Sequence, residues 1–89
     1  MRPMGLLRKQ DVLNTVSRIL DPYLGHTMAQ AAVEAHVQKL GVEGLLMTSE
    51  QFEALLERIG SGLTIFVGRD KAKQIVAEIR SAALSEGGR

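Results

Sequence analysis

The sequence predicts an all-α protein, a four-helix bundle built from two similar helical hairpins. Four segments of the 89-residue chain place apolar residues at i, i+3, i+4 and i+7, the spacing of an amphipathic helix. In addition, residues 23–29 are similar in sequence to residues 66–72, which lie 43 positions later. Gly25 thereby corresponds to Gly68 and Tyr23 to Phe66. A repeat at a constant offset indicates an internal duplication, and hence pseudo-two-fold symmetry.

Length and composition predict one domain: hairpin one over about residues 8–40, a linker over 41–48, hairpin two over about 49–84 and a frayed tail over 85–89. The absence of cysteine excludes disulfides and thiolate metal sites. A net charge of +1 predicts no strong long-range attraction to nucleic acid or to anionic membrane. No apolar run is long enough to cross a bilayer, so we expect a cytoplasmic protein with no membrane partner.

The first helix is predicted over residues 8–24. Pro22 has no N–H for the helix, so it predicts a kink in the last turn or an end near Leu20. Tyr23 and Leu24 stay in phase with the apolar face, and we therefore place the break at Gly25, where glycine tolerates the left-handed conformation of a C-terminal cap. The residues of that face are Val12, Leu13, Val16, Ile19, Leu20, Tyr23 and Leu24.

The second helix is predicted over residues 27–40. Thr27 is a residue type that caps helix N-termini, and Gly41 is a residue type that ends helices. The apolar side of this segment consists of Met28, Ala29, Ala32, Val33, Val37 and Leu40.

The third helix is predicted over residues 49–67, and its start carries the strongest local signal in the chain. Thr48 with Gln51 matches a capping box, and Met47 with Phe52 matches the hydrophobic staple around such a box. One apolar face then continues to the end of the segment through Phe52, Leu55, Leu56, Ile59, Leu63, Phe66 and Val67.

The end of the third helix has an alternative interpretation. Residues 63–67 are rich in β-branched and aromatic side chains, and Gly60 and Gly62 precede them like a turn, which is typical of a strand. The helical phase passes through both glycines unbroken, and we therefore favour the helix. Each glycine costs about 1 kcal/mol in helix propensity, so their missing side chains predict the close approach of another helix.

The fourth helix is predicted over residues 70–84, with Asp70 as its N-cap. Its apolar stripe consists of Ala72, Ile75, Val76, Ile79 and Ala83. Charged residues form an acidic line of Glu50, Glu53 and Glu57 on the third helix and a basic line of Arg69, Lys73 and Arg80 on the fourth. We expect these lines to pair weakly across the hairpin rather than to act as a pair of catalytic carboxylates.

Enzyme activity is not expected. The sequence has no phosphate loop with its lysine, no cofactor motif and no Ser/His/Asp arrangement that one face could carry. His26 and His36 are ten residues apart, which is not the i, i+4 spacing of a helical metal site. We therefore predict a protein without catalytic residues, cofactor or metal.

His36 has an alternative interpretation as a phosphate-accepting residue. The stretch from Glu34 to Gly41 resembles the His-x-x-Lys-Gly stretch of histidine phosphotransfer domains, with Leu40 between the lysine and the glycine. That resemblance implies an exposed, phosphate-accepting imidazole in a four-helix bundle. The position of His36 on the apolar arc of the second helix, and its correspondence to Ile79 in the repeat, favour a buried core or interface histidine instead.

The two glycine turns suggest a nucleic-acid alternative. Residues 25–33 and 68–76 resemble the second half of the helix-hairpin-helix motif, in which the turn and the following helix bind the phosphate backbone. Tyr23 and Phe66 stand where that family has an earlier glycine. The residues that the resemblance assigns to phosphate contact are Gly25, Gly68, Arg69, Lys71 and Lys73.

Surplus apolar residues predict the main function. Ile65 lies off the apolar arc of its helix, and Leu45 and Leu46 lie in a linker where polar residues are expected. We predict a non-enzymatic interaction or assembly module that forms a homodimer or binds another protein through Leu45, Leu46, Gly60, Gly62 and Ile65. The Leu24-Gly25 turn before an alanine-rich helix also resembles small helical modules of bacterial signalling proteins, which implies a role in signalling or regulation.

Overall fold

The computed structural model describes the backbone of residues 6–87 and the side chains of residues 6–85. The elements, in chain order, are β1 (Leu6–Arg8), α1 (Lys9–Leu24), α2 (His26–Lys39), β2 (Leu46–Thr48), α3 (Ser49–Val67) and α4 (Arg69–Gly87). The described residues are mostly helical and form four helices, in agreement with the all-α prediction. Residues 85–87, which the sequence analysis places in a frayed tail, belong to α4. Residues 88 and 89 of the predicted tail lie outside the described part of the chain, as do residues 1–5.

Two short strands were not predicted from the sequence. β1 and β2 form an antiparallel ribbon in which Leu7 lies opposite Met47, with Leu6 opposite Thr48 and Arg8 opposite Leu46. Leu7 and Met47 are buried, whereas their neighbours on both strands are exposed. The segment predicted as a linker over 41–48 therefore contributes to the core through the strand at its end.

The two glycine turns have nearly the same backbone geometry. Gly25 has φ 87° and ψ 153°, and Gly68 has φ 88° and ψ 164°. Each glycine N–H donates to the carbonyl four residues earlier, and each glycine carbonyl accepts from the N–H four residues later, at 2.8–3.0 Å. The sign of φ agrees with the prediction, but ψ is extended rather than left-handed helical. A single residue thus ends one helix and starts the next, and this backbone region is nearly exclusive to glycine.

The capping predictions had mixed outcomes. The capping box is confirmed: the Gln51 N–H donates to Thr48 Oγ1 at 3.0 Å, and the Thr48 N–H donates to Gln51 Oε1 at 2.9 Å. Thr27 as an N-cap is wrong, because α2 begins at His26 and has Gly25 as its N-cap, without a side-chain hydrogen bond. Asp70 as an N-cap is also wrong, because α4 begins at Arg69 and Asp70 lies in its first turn.

Residues 63–67 are helical, so the strand alternative is wrong there. The Thr64 hydroxyl donates to the Gly60 carbonyl at 2.9 Å, and the Gly68 N–H donates to the Thr64 carbonyl at 3.0 Å. These two bonds give the hydroxyl and the carbonyl of Thr64 hydrogen-bond partners within the helix and its cap. A Cβ placed on Gly60 would lie 3.2 Å from Val76 Cγ2 of α4, so the predicted close helix approach occurs at this glycine. The same prediction is wrong for Gly62, because no described atom of a neighbouring element lies within 4 Å of a Cβ placed there.

One hydrophobic core connects all four helices and the ribbon. α1 packs mainly against α2 and α4, and α3 packs mainly against α4, whereas α2 and α3 have fewer contacts with each other. The most deeply buried large side chains of the core are Leu20, Met47, Phe52, Leu55, Leu56, Ile75 and Ile79. None of the described helices is both long and apolar enough to cross a bilayer. The sparse contact between α2 and α3 leaves a cleft on that side of the molecule.

Candidate apolar cleft at His36

The cleft lies where α1, α2 and α3 meet. Its volume is about 140 Å³. Its wall is apolar except for one imidazole: it consists of Leu20 and Leu24 from α1, Ala32 and His36 from α2, and Ile59, Gly62, Leu63 and Phe66 from α3. Such a volume is close to that of an apolar cavity that holds one benzene ring.

His36 is half-buried in this wall, so the predicted buried histidine is confirmed only in part. Its Nδ1 atom is fully covered and has no hydrogen-bond partner among the described residues. Burial lowers the pKa of His36, and the nearby positive charges of Arg58 on α3 and Lys39 on α2 lower it further. The imidazole is consequently held toward its neutral form.

The mouth of the cleft carries exposed apolar surface. Phe66, which the sequence analysis places on the apolar face of α3, is 63% exposed, whereas Leu63, three residues earlier, is buried. Ile65 is 84% exposed, as its position off the arc predicts. Gly62 also lines the cleft. No described atom outside its own helix lies within 4 Å of a Cβ placed on this glycine.

The predicted interface residues do not form one surface. Leu45 and Leu46 are exposed at the ribbon, together with Leu6. Ile65 lies near the other end of α3, about 24 Å away along the helix axis at 1.5 Å per residue. Gly60 faces α4 within the molecule. We name Gly62, Ile65 and Phe66 the cleft-mouth patch, and Leu6, Leu45 and Leu46 the ribbon patch.

The residues assigned to phosphate contact lie together at the end of the molecule that carries both glycine turns. Lys71 Nζ lies 5.7 Å from the centre of the Tyr23 ring, which joins the start of α4 to the end of α1. Arg69 and Lys73 are exposed on the same turns of α4. On the other hairpin, His26 Nδ1 lies 3.9 Å from an Asp21 carboxylate oxygen.

The acidic and basic lines meet through one pair. Arg80 donates to both carboxylate oxygens of Glu53, from Nη2 at 2.6 Å and from Nε at 3.2 Å. The hydrogen bond lowers the pKa of Glu53 and raises the pKa of Arg80. Both side chains are largely exposed, so water screens the pair and its net contribution is at most about 1 kcal/mol.

Within the described residues, no group of three His, Asp or Glu side chains is arranged to hold a metal ion. Comparison of the chain with known protein families, with curated proteins and with solved structures gives no significant match. Sequence reasoning identified His36 and Ile65 but missed the cationic setting of the imidazole. The available signal was helical spacing, since Lys39 follows His36 by three residues and therefore lies on the same side of α2.

Proposed function

We propose that the chain is a non-enzymatic interaction module that self-associates as a homodimer through the cleft-mouth patch. The observation that supports this proposal is the position of Phe66 and Ile65, two large apolar side chains that follow one another in sequence and are both mostly exposed. Apolar surface of this kind, next to an apolar cleft, is typical of protein contact sites. Phosphotransfer is not part of the proposal, because it requires an imidazole that stands in solvent and His36 is half-buried.

Sedimentation equilibrium of the wild type beside Ile65→Glu and Leu45→Glu tests the proposal. Ile65 and Leu45 are each 84% exposed and lie in different patches, so the two variants introduce the same charge at matched burial. We expect a wild-type dimer that Ile65→Glu weakens by about tenfold or more, because the new carboxylate must lose its water in the contact. We expect Leu45→Glu to associate like the wild type.

Each other outcome has a definite meaning. A wild type that stays monomeric at high micromolar concentration contradicts self-association. Dissociation by Leu45→Glu alone would place the contact at the ribbon patch instead.

A second candidate function is weak binding to the nucleic-acid backbone at the turn end. The observation that favours it is the Lys71–Tyr23 contact, which brings both glycine turns to one end of the molecule beside Arg69 and Lys73. Each phosphate contact should add about 0.9 to the slope of log affinity against log salt for duplex DNA. Titration of a labelled duplex at low and moderate salt, with Arg69→Ala and Lys73→Ala beside the wild type, measures that slope. Absence of binding at low salt rules this function out.

For the architecture, we propose a four-helix bundle that arose by internal duplication. The near-identical dihedral angles of Gly25 and Gly68, and their matching hydrogen bonds, support this proposal. The offset differs between the two ends of the molecule: the turns correspond 43 residues apart, whereas Leu7 and Met47 pair 40 residues apart. α3 has 19 residues and α1 has 16, so the three additional residues of α3 account for the difference.

A further inference from the structure

We propose that the cleft at His36 binds a small organic anion, an aromatic carboxylate whose ring enters the cleft and whose carboxylate faces the cations beside it. This inference goes beyond self-association and does not depend on it. Three properties of the cleft support it: its size, its apolar wall and the sign of the charges around its one polar side chain.

Size and wall chemistry select the apolar part of the ligand. A volume of about 140 Å³ accommodates one six-membered ring. Seven of the eight wall residues are apolar or glycine, so a ring that enters the cleft loses water-exposed surface against apolar side chains. Phe66 lies at the mouth, where its face or edge can contact a bound ring.

The charges select the anionic part. Arg58 directly precedes the wall residue Ile59 on α3, and Lys39 follows the wall residue His36 by three positions, about one helical turn, on α2. Both side chains are positively charged, and both charges act on His36. Neither forms an ion pair with any residue in the described part of the chain. α1, the third helix at the cleft, contributes only Leu20 and Leu24 to the wall. A carboxylate at the cleft would therefore lie near an imidazole and on the side of two cations, and no wall residue carries a negative charge.

The test uses sodium benzoate and benzyl alcohol as probes, because they share a ring and differ in charge. Methyl and His36 imidazole resonances are followed by NMR at low salt. We expect the methyl signals of Leu20, Leu24 and Leu63 to shift with both probes, and benzoate to bind at least about twofold tighter, since each exposed cation contributes a small attraction. Benzoate, but not benzyl alcohol, should also raise the pKa of His36, because binding of an anion and protonation of the imidazole favour each other.

Three sets of variants complete the test. In Gly62→Leu the new side chain fills the cleft from an unstrained helical position, so both probes should lose binding, whereas Gly62→Ala should keep most of it. Arg58→Gln with Lys39→Gln should abolish the preference for benzoate and leave benzyl alcohol unaffected. Arg69→Gln with Lys73→Gln removes the same number of cations at the turn end and should leave the preference intact.

The proposal is overturned if the cleft methyl signals do not shift, if benzoate binds no tighter than benzyl alcohol, or if Gly62→Leu binds like the wild type. Loss of the preference in the Arg69 and Lys73 variant would also overturn it, because a general charge effect would then explain the result. Sedimentation reports self-association separately. A monomeric chain that binds benzoate at the cleft would contradict the proposed homodimer and support the proposed anion site.

Discussion

At the scale of single residues, four of the described glycines have three different roles. Gly25 and Gly68 provide a backbone conformation that other residues rarely adopt. Gly60 provides space for Val76, and Gly62 is an ordinary helical residue beside open space. These roles are not visible in the sequence, where all four positions are simply glycine. Substitution by alanine should distinguish the roles by its effect on stability.

Gly25→Ala and Gly68→Ala should each destabilise the protein by about 1–3 kcal/mol, since alanine must take the positive φ at an energetic cost. Gly62→Ala should stabilise it by about 0.5–1 kcal/mol, because alanine has the higher helix propensity and meets no neighbour. Urea unfolding monitored by circular dichroism measures the three changes. Equal effects at Gly25 and Gly62 would contradict the turn geometry.

His36 gives the protein a pH dependence whose sign follows from its surroundings. Burial and two cations depress the folded-state pKa of His36 below the ordinary 6.5. The neutral imidazole therefore contributes to the free energy of unfolding above about pH 6.5, and this contribution is lost as the pH falls through the folded-state pKa. His36→Leu should therefore unfold at urea midpoints that change less between about pH 7 and pH 5 than those of the wild type. Equal changes of the urea midpoint in His36→Leu and in the wild type would contradict this dependence.

At the scale of helices and strands, α3 is the element whose start is best defined by its own sequence. Thr48→Ala removes the capping box and should cost about 0.5–2 kcal/mol. Thr27→Ala is the matched control, because Thr27 makes no capping hydrogen bond and should cost less than about 0.5 kcal/mol. Thermal or urea unfolding of both variants compares them, and a larger loss at Thr27 would show that α2 is capped by its side chain.

Helix positions were predictable because periodicity and glycine reflect local backbone physics. The breaks at Gly25 and Gly68 and the start of α3 were placed correctly for this reason. Thr27 and Asp70 were misassigned as caps because a glycine carbonyl already starts the next helix at each turn. The strands were missed because a ribbon of three residues a side is defined by its distant partner, although Gly-Leu-Leu occurs at both residues 5–7 and 44–46.

The candidate site was less predictable than the fold. Helical phase indicated that His36 faces other helices, and it identified Ile65 as a surface residue. It did not show that the charge of Arg58 acts on His36, because these residues lie on different helices and the distance between them depends on how the helices pack. The exposure of Phe66 depends in the same way on where the core ends, which is a property of all the elements together.

At the scale of the whole molecule, the ribbon joins the two helix pairs through Leu7 and Met47. Met47→Ala should cost about 2–5 kcal/mol, because it opens a cavity at a fully buried position. Leu46→Ala, one residue earlier and 50% exposed, should cost less than about 1 kcal/mol. Unfolding of each variant in urea, followed by circular dichroism, measures the difference, and similar costs would contradict the assigned faces of β2.

The ribbon also affects the order in which the chain folds. Its strands are separated by about 40 residues, so pairing them closes a long loop around the first helix pair, at an entropic cost that grows slowly with loop length. α1 and α2 are joined by one residue and make contacts that form early, whereas β1 has no strand to pair with until residue 48 has been synthesised. During translation, the edge of β1 and the apolar face of α1 therefore stay exposed until the second half of the chain has been synthesised. A chaperone or a neighbouring nascent chain can bind them during that interval.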